Sequence, residues 1–530
     1  MRIVLRDIRL KAEASEYDAV CAAKKQLNSV FGSSVYGNVS VYRKSVDARH
    51  VNKISKVFSV SAEVYLDTVS DDALKKLNAA VLESGELDII YGEEVLENRP
   101  VVVGFGPAGM FCALLLAENG YKPIVLERGG NIQERNIAVN LFRTNGILNT
   151  ENNIQFGAGG AGTFSDGKLV TRINDKKCRY VLETFHKHGA PDSILTEAKP
   201  HIGTDNLGKI VSSVKENILR KGGEIYFNTR FEGYKNTKKG IEVKTNNGTF
   251  FGGALVLATG HSARDTYKLL AENGLEMQSK AFSVGVRVEQ LQEEINHSVY
   301  GKYADILGNA EYNFSYRKGE RAVYTFCMCP GGHVVEAASE EESVVVNGMS
   351  NYNRDGKNSN AALVVSVLPE DCGNSLFDGM NFQRYLERKA FAMGGKDYGA
   401  PIQTVGDYLN NKSGTVPKRI QPSYMDGKRN NLCDINELFP SYVNSFLKEG
   451  LVKFENKING YAPHDAVMTA VETRTSSPLR IVRNDMLFSP TDSNIFPCGE
   501  GAGYAGGITS ASVDGIRVAL CIIGRYKPIE

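Results

Sequence analysis

The sequence has almost no excess of either charge: 62 Lys and Arg stand against 61 Asp and Glu in 530 residues, a formal net charge of +1. So even a balance supplies no global field to draw in nucleic acid or an anionic membrane, and a polyanion is not the expected partner. Long apolar runs are also missing. No stretch of about 18 apolar residues occurs, and the opening MRIVLRDIRLKAEASE scatters charges where a signal peptide carries a continuous apolar core. The expectation is a cytoplasmic chain that does not span a membrane. The nine cysteines are thinly spread, and no CxxC pair is followed by a second one or by a HxxxH spacing. Neither a zinc module nor a disulfide framework is indicated. His261 and His464 have no second ligand at metal spacing, so no metal site is predicted. Internal repeats and low-complexity segments are absent as well.

What the sequence does have is glycine, 53 in all, within an ordinary globular composition of 42% hydrophobic and 23% charged residues. That much glycine points to tight turns or close backbone approach, and the length suggests roughly two to four domains. Residues 1–95 read as strand (Ile3–Leu10), helix (Tyr17–Leu27), strands (Val39–Val46 and Val57–Tyr65), helix (Asp71–Leu82) and strand (Leu87–Tyr91). The order βαββαβ suggests a small ferredoxin-like α+β domain. Its basic stretch, Arg43, Lys44, Arg49, His50, Lys53 and Lys56, lacks the aromatic pattern of an RNA-recognition motif; a solvated face, a lid or an interdomain contact fits it better.

From Pro100 the pattern changes to α/β. A buried strand, Val101–Val103, runs into Gly104-Phe105-Gly106-Pro107-Ala108-Gly109 and an apolar helix to Asn119. In such a GxGxxG turn the first glycine permits the turn, the second lets backbone approach a pyrophosphate, and the third lets helix pack on strand; the helix N-terminus then offers free N–H groups to the anion. Glu127 ends the second strand about 20 residues on, where a carboxylate accepts from an adenosine ribose. Near the other end, Pro497-Cys498-Gly499-Glu500 closes a strand, and Gly506-Gly507-Ile508 opens a small-residue helix from Ser510 to Cys521. Glu500 there can accept from ribityl hydroxyls. The turn before the helix can aim N–H groups at a flavin, whose reduced form is anionic. The two motifs lie about 400 residues apart, so the Rossmann-type FAD-binding domain is discontinuous: 96–277 and 461–530, with a β-rich α+β substrate domain inserted at 278–460. Within that insert, strands are expected at Phe282–Val288, Ala322–Cys329 and Ala361–Val367, and helices at Phe382–Met393 and Ile435–Phe446. No second GxGxxG unit lies between the two motifs, so NADPH or NADH is expected only as a transient electron donor.

With these motifs in place, the sequence resembles the glutathione reductase and p-hydroxybenzoate hydroxylase type FAD superfamily. More closely, it is similar to a bacterial family of FAD-dependent dehydrogenases known as uncharacterised. The resemblance spans nearly the whole chain and is carried by GFGPAGMFCALLLAENG, NNIQFGAGGAGTFSDGKLVTR, VLATGH, FCMCPGGHVVEAASE, VETRTSSPLRI and PCGEGAGYAGGITSASVDG. It implies FAD as cofactor. It also implies that the segment holding Gly159, Gly160 and Lys168 wraps the pyrophosphate and flavin, that adenine meets backbone near Arg230 and Phe231, and that Thr259 and Gly260 form the superfamily's ATG segment. Arg128, next to Glu127, joins the cofactor set. Glu500 stands where many relatives have aspartate, which lengthens its reach and keeps its acceptor role.

Read without the resemblance, Gly162–Lys168 matches GxxxxGK, but Leu169 cannot ligate magnesium as a P-loop Ser or Thr does, so an ATPase is not supported. Cys327 and Cys329 read either as a redox pair beside flavin or as small apolar packing. On an extended strand, residues i and i+2 lie near the upper limit for a disulfide. His333 reads as an acid or base near the flavin or as an exposed loop residue. Arg287 reads as an anchor for an anionic substrate or as a salt-bridge partner of Glu289 or another acid. Glu472, Thr473, Arg474 and Thr475 either line the substrate cleft or cap a helix. Arg287, His333 and Cys329 are thus the catalytic candidates of a flavin oxidoreductase acting on a small molecule. The motifs specify neither that molecule nor the oligomeric state.

Overall fold

A computed structural model describes residues 1–82, 85–238 and 240–529. The first strand, Arg2–Lys11, carries Leu5 and Ile8 on the same buried face although they are three residues apart. A register shift between them, with Asp7 at φ +57, makes this possible. Ser15 then caps the helix Glu16–Phe31 in a capping box with Asp18. The four strands lie antiparallel in the order 36–47, 55–64, 2–11 and 79–81. The last strand is not the expected one. The helix predicted to reach Leu82 ends at Lys76, because Asn78 turns left-handed at φ +47 and releases Ala79–Val81 to pair with the first strand. Leu87–Tyr91 forms no strand; Leu87 and Ile89 pack instead against the core of the next unit.

Of the basic stretch, Lys44 meets the next unit, while Arg43, Arg49, His50 and Lys53 are exposed. The Lys44 N–H donates to the Thr196 carbonyl (2.7 Å), and the Ala198 N–H donates back to the Lys44 carbonyl (2.8 Å). The Lys44 ammonium sits between Glu16 and Glu197 at 2.7 and 3.0 Å. Arg49 pairs with Asp47, and Lys56 donates to the Ala14 carbonyl.

Five short parallel strands form the middle sheet, in the order 495–497, 255–257, 101–103, 124–126 and 224–226. Alternation sets its two faces. Val102, Val125, Val256 and Phe496 pack on the helices Pro107–Glu118, Thr204–Arg220 and Ile508–Arg525. Val101, Val103, Leu255 and Leu257 pack on an antiparallel meander of 231–237, 240–245 and 248–252. The strand farthest along the chain thus sits at the sheet edge beside 255–257.

Between Leu257 and Ile495 along the chain comes a seven-stranded sheet with its own core, ordered 315–318, 321–329, 358–367, 282–291, 467–472, 400–404 and 430–432. Val467–Glu472, which the sequence places in the returning segment from 461, pairs antiparallel with Phe282–Leu291 in this sheet. The chain enters through Met277–Ser279 and leaves through Leu479–Ile481, which pair with each other, so entry and exit are adjacent. The helix expected over Ile435–Phe446 is split: a short turn covers Ile435–Glu437, and the helix itself starts at Ser441. Pro440, lacking an N–H, is tolerated before a helix but not inside one. Among the described residues, no helix is long and apolar enough to cross a membrane.

Candidate active site

Glycines let four segments meet with backbone against backbone. A Cβ on Gly109 would lie 2.0 Å from the Gly104 carbonyl oxygen, and one on Gly515 would lie 2.1 Å from the carbonyl oxygen of Ala108. On Gly501 it would be 2.5 Å from the Gly260 oxygen, and on Gly160 2.9 Å from the Gly106 Cα. Gly104, at φ +102, takes a turn that other residues rarely adopt. Gly104, Gly106, Pro107, Ala108 and Gly109 thereby share one place with Gly159, Gly160, Thr259, Gly260, Gly499 and Glu500. Ile508 reaches Gly162, whose Cβ position is 3.2 Å from its Cγ1. Two helices begin here, at Pro107 and Ile508, and neither has a side-chain cap. Their first N–H groups have no intrahelical partner, and Gly506 and Gly507 are exposed. A dinucleotide with an anionic pyrophosphate fits such a pair of helix starts.

Side chains brace this backbone site from behind. Glu127 Oε1 accepts from the N–H groups of Gly129 and Gly157, both at 2.9 Å, and Oε2 accepts from Phe105 at 2.8 Å. The carboxylate therefore ties three loops and keeps acceptor capacity on Oε2. Arg128 bridges Glu151 and Asp265 and lies over the Phe156 ring. Arg135, absent from the sequence reading, is fully buried and donates to the carbonyls of Asn153 (2.9 Å), Ile154 (2.7 Å) and Ala158 (2.7 Å). Burial lowers its pKa to about 9, against the pull of Glu127. Asp514 was missed too. It accepts from the Gly499 N–H (2.7 Å) and pairs with Arg483, fixing the Gly499 turn to the last helix. Its signal was a carboxylate inside an apolar helical run.

His261 Nδ1 is 3.1 Å from Glu500 Oε1, while its Nε2 is buried without a partner. In the sequence His261 has no second ligand at metal spacing, and its partner Glu500 lies far along the chain. Phe231 is buried in the core of the meander and pairs with Thr245. The neighbouring Arg230 N–H donates to Asn246 Oδ1 at 2.7 Å.

The catalytic candidates diverge. Arg287 is fully buried, and its five N–H groups are all taken: by Glu472 (2.8 and 3.3 Å), Asn360 (3.0 Å), Asn347 (2.7 Å) and the Cys327 carbonyl (2.8 Å). It has none to offer an anionic substrate. Burial, the largest single influence, lowers its pKa, but Glu472 together with Cys329 and Cys327 raises it above the ordinary value, so it stays charged. His333 is exposed at the start of a strand paired with 346–349. Cys329 is buried. Lys168 pairs with Glu311 (3.0 Å) and Asp166 (3.5 Å), and both acids also pair with Arg354. Burial raises the Glu311 pKa, but Lys168 and Arg354 pull it down to about 2. The residue after Lys168, Leu169, accepts from Thr509 Oγ1 (2.8 Å), which sets this cluster against the start of the last helix. A cavity of about 320 Å³, lined by Gln292, Asn296, Asn309 and Arg354 among others, touches none of the glycine segments; Arg354 connects the two.

The segment Glu472–Thr475 is buried and bonded internally. Thr473 donates to Glu387 at 2.7 Å, Arg474 donates to Glu387 and Ser339, and Thr475 donates to the Ser283 carbonyl. Glu387 also receives Arg264 from the helix after strand 255–257 (2.8 Å), so one carboxylate locks two arginines of different units. Among the described residues, no group of three or more His, Cys, Asp or Glu side chains is placed to hold a metal ion.

Residues 281–475 match the family described as FAD-dependent protein, C-terminal domain-like. An uncharacterized protein of Clostridium beijerinckii is 47% identical over 497 residues, an alignment covering 92% of each chain. Among solved structures, CtdE in complex with FAD aligns at 13% identity over 80% of this chain and 84% of its own, with a TM-score of 0.33. The tetracycline destructase Tet(51) aligns at 10% identity over 79% of each chain, with a TM-score of 0.32. The fold described above stands on its own strand order, not on these two alignments.

Proposed function

The chain belongs to one family with its Clostridium beijerinckii relative and is an FAD-dependent protein; from that premise we propose a cytoplasmic oxidoreductase, a dehydrogenase or reductase, acting on a small organic molecule. The observation that carries this reading is the meeting of two uncapped helix starts, at Pro107 and Ile508, across glycine contacts between segments about 400 residues apart. We read the parallel sheet as a discontinuous Rossmann-type domain, the seven-stranded unit as its inserted substrate domain, and the βαββαβ unit as ferredoxin-like. The strand orders 495–255–101–124–224 and 36–55–2–79 support that architecture.

FAD, when bound, would supply the hydride-accepting chemistry. The chain's part is to bind and orient it. The N–H groups of Ala108 and Gly109 would hold the pyrophosphate, with Gly159 and Gly160 beside them. Those at Gly507 and Ile508 would favour the anionic reduced flavin. Glu500 would accept from the ribityl chain and Glu127, through Oε2, from the adenosine ribose. Thr259, Gly260 and Phe231 border the remainder, while Arg128 and Lys168 hold the surrounding loops by ion pairs. NADPH or NADH serves as transient electron donor.

An anaerobic visible spectrum of the purified protein, before and after adding NADPH or NADH, tests the proposal. Bleaching of an oxidised-flavin band is the expected result. A band that stays unchanged with both nucleotides removes the nicotinamide half-reaction and points to another donor or to redox-neutral chemistry.

A further inference from the structure

The flavin reading leaves two thiols without a role. The strand Arg321–Cys329 slips register against Asn358–Val367 between Phe326 and Cys329, and Cys327 sits in that bulge at φ +43. A side chain with a Cβ rarely takes this conformation, and where it does the surroundings enforce it. In the bulge the chain leaves the extended conformation, in which residues i and i+2 lie near the limit for a disulfide. Cys329 Sγ lies 3.4 Å from the Cys327 carbonyl oxygen. Its proton has that oxygen in reach.

The groups around the pair are charged on every side. Arg287 donates to the Cys327 carbonyl from the neighbouring strand and is itself held by Glu472. Lys168 comes from the glycine segment with Asp166, and Arg354 and Glu311 complete the ring near Cys329. Each acid already has a cation. The Cys329 thiol lowers the Cys327 pKa most, burial raises it, Arg287 and Lys168 lower it and Glu472 opposes; the result is about 6. Cys329 moves up instead. Burial likewise raises Cys112, Cys178, Cys372, Cys433, Cys498 and Cys521.

We propose that Cys327 and Cys329 are a redox-active dithiol, with half-buried Cys327 attacking and buried Cys329 resolving, whose substrates are low-molecular-weight disulfides. The Cys327 thiolate attacks one substrate sulfur; a Cys327–substrate bond forms as the substrate S–S bond breaks, and one thiolate leaves. Cys329 gives its proton to that thiolate and attacks Cys327 Sγ, forming the Cys327–Cys329 disulfide and releasing the second substrate thiolate. The dithiol loses two electrons and the substrate gains two. This chemistry goes beyond the flavin reading and stands without it.

The test mixes reduced, full-length holoprotein anaerobically with one equivalent of dithiobis(nitrobenzoate) at pH 6. Wild type is expected to release two thionitrobenzoates per chain in a fast phase, on the order of tenfold faster than an ordinary thiol at this pH, and to yield a cross-linked 327–329 peptide. Cys329→Ser stops at one, with a mixed disulfide retained on Cys327; Cys327→Ser loses the fast phase. Wild type that releases at the Cys327→Ser rate, or that retains the adduct, overturns the proposal. Iodoacetamide labelling of wild type, peptide-mapped across pH 5–9, covers variants that fail to fold: a midpoint below pH 7 at Cys327 is required, and one at or above pH 7 overturns it. The flavin band of the same sample, read with NADH, speaks only to the hydride reading.

Discussion

At Gly104, Gly109, Gly501 and Gly515 the contacts that close the site are with backbone carbonyls, at separations no Cβ allows. Around Glu387 and Lys168 the contacts are between charged side chains: Arg264 and Arg474 share one carboxylate, and Lys168 and Arg354 share Asp166 and Glu311. The first arrangement tolerates no added atom; the second tolerates no lost charge. One is a problem of shape and the other of electrostatic balance, so they should break differently.

The largest effect is expected at Glu387. Removing its charge takes the carboxylate partner from buried Arg474 and leaves Arg264 with the Glu340 carboxylate alone, and Glu387→Gln should cost about 3–5 kcal/mol in urea unfolding. Burial raises this carboxyl's pKa and the two arginines lower it further, below its ordinary 4.5. Its stabilisation is therefore fully present above about pH 4.5 and is lost as pH falls toward the folded value. Unfolding measured from pH 7 down to pH 3 should show an acid limb in wild type that is weaker in Glu387→Gln.

On the backbone side, Gly515→Val drives a side chain into the Ala108 carbonyl. We expect a loss of up to about 3 kcal/mol together with loss of bound flavin, read as the ratio of visible to ultraviolet absorbance. A variant that keeps its flavin would show that the two helices can part without opening the site. Arg135→Met lies between the two cases, since it removes a charge that holds only carbonyls. It should cost about 2 kcal/mol and weaken FAD by roughly tenfold, measured by fluorescence titration. The smallest effect belongs to the first unit: Lys44→Ala should lower stability by less than about 1 kcal/mol, and wild type should not show the steep salt dependence of oligonucleotide binding that a phosphate-reading face would produce.

The same contrast explains what the sequence disclosed. Gly104–Gly109, Gly499–Glu500 and Gly507–Ile508 were legible because a backbone site leaves glycines at fixed offsets from strands and helices. Arg135, Asp514 and His261 were not, because their partners are carbonyls, turns and a carboxylate brought near only by folding. Arg287 was visible as an arginine alternating with apolar neighbours, but its partner Glu472 lies 185 residues away. In the first unit the helix period carried the reading past Asn78, where one left-handed residue turned the chain into a strand. Short strands decided by a single turn residue escape periodicity.

The last helix has a consequence for how the protein is made. Residues Ala108–Ala117 of the helix Pro107–Glu118 are all buried, and Gly515 of Ile508–Arg525 is a point of contact on that helix. On a ribosome adding ~5–20 residues per second, the intervening stretch takes roughly 20–80 s to emerge. For that interval the nascent chain presents an apolar helix without the cover that Ile508–Arg525 supplies in the folded protein, and this face is the aggregation-prone part of the newborn chain.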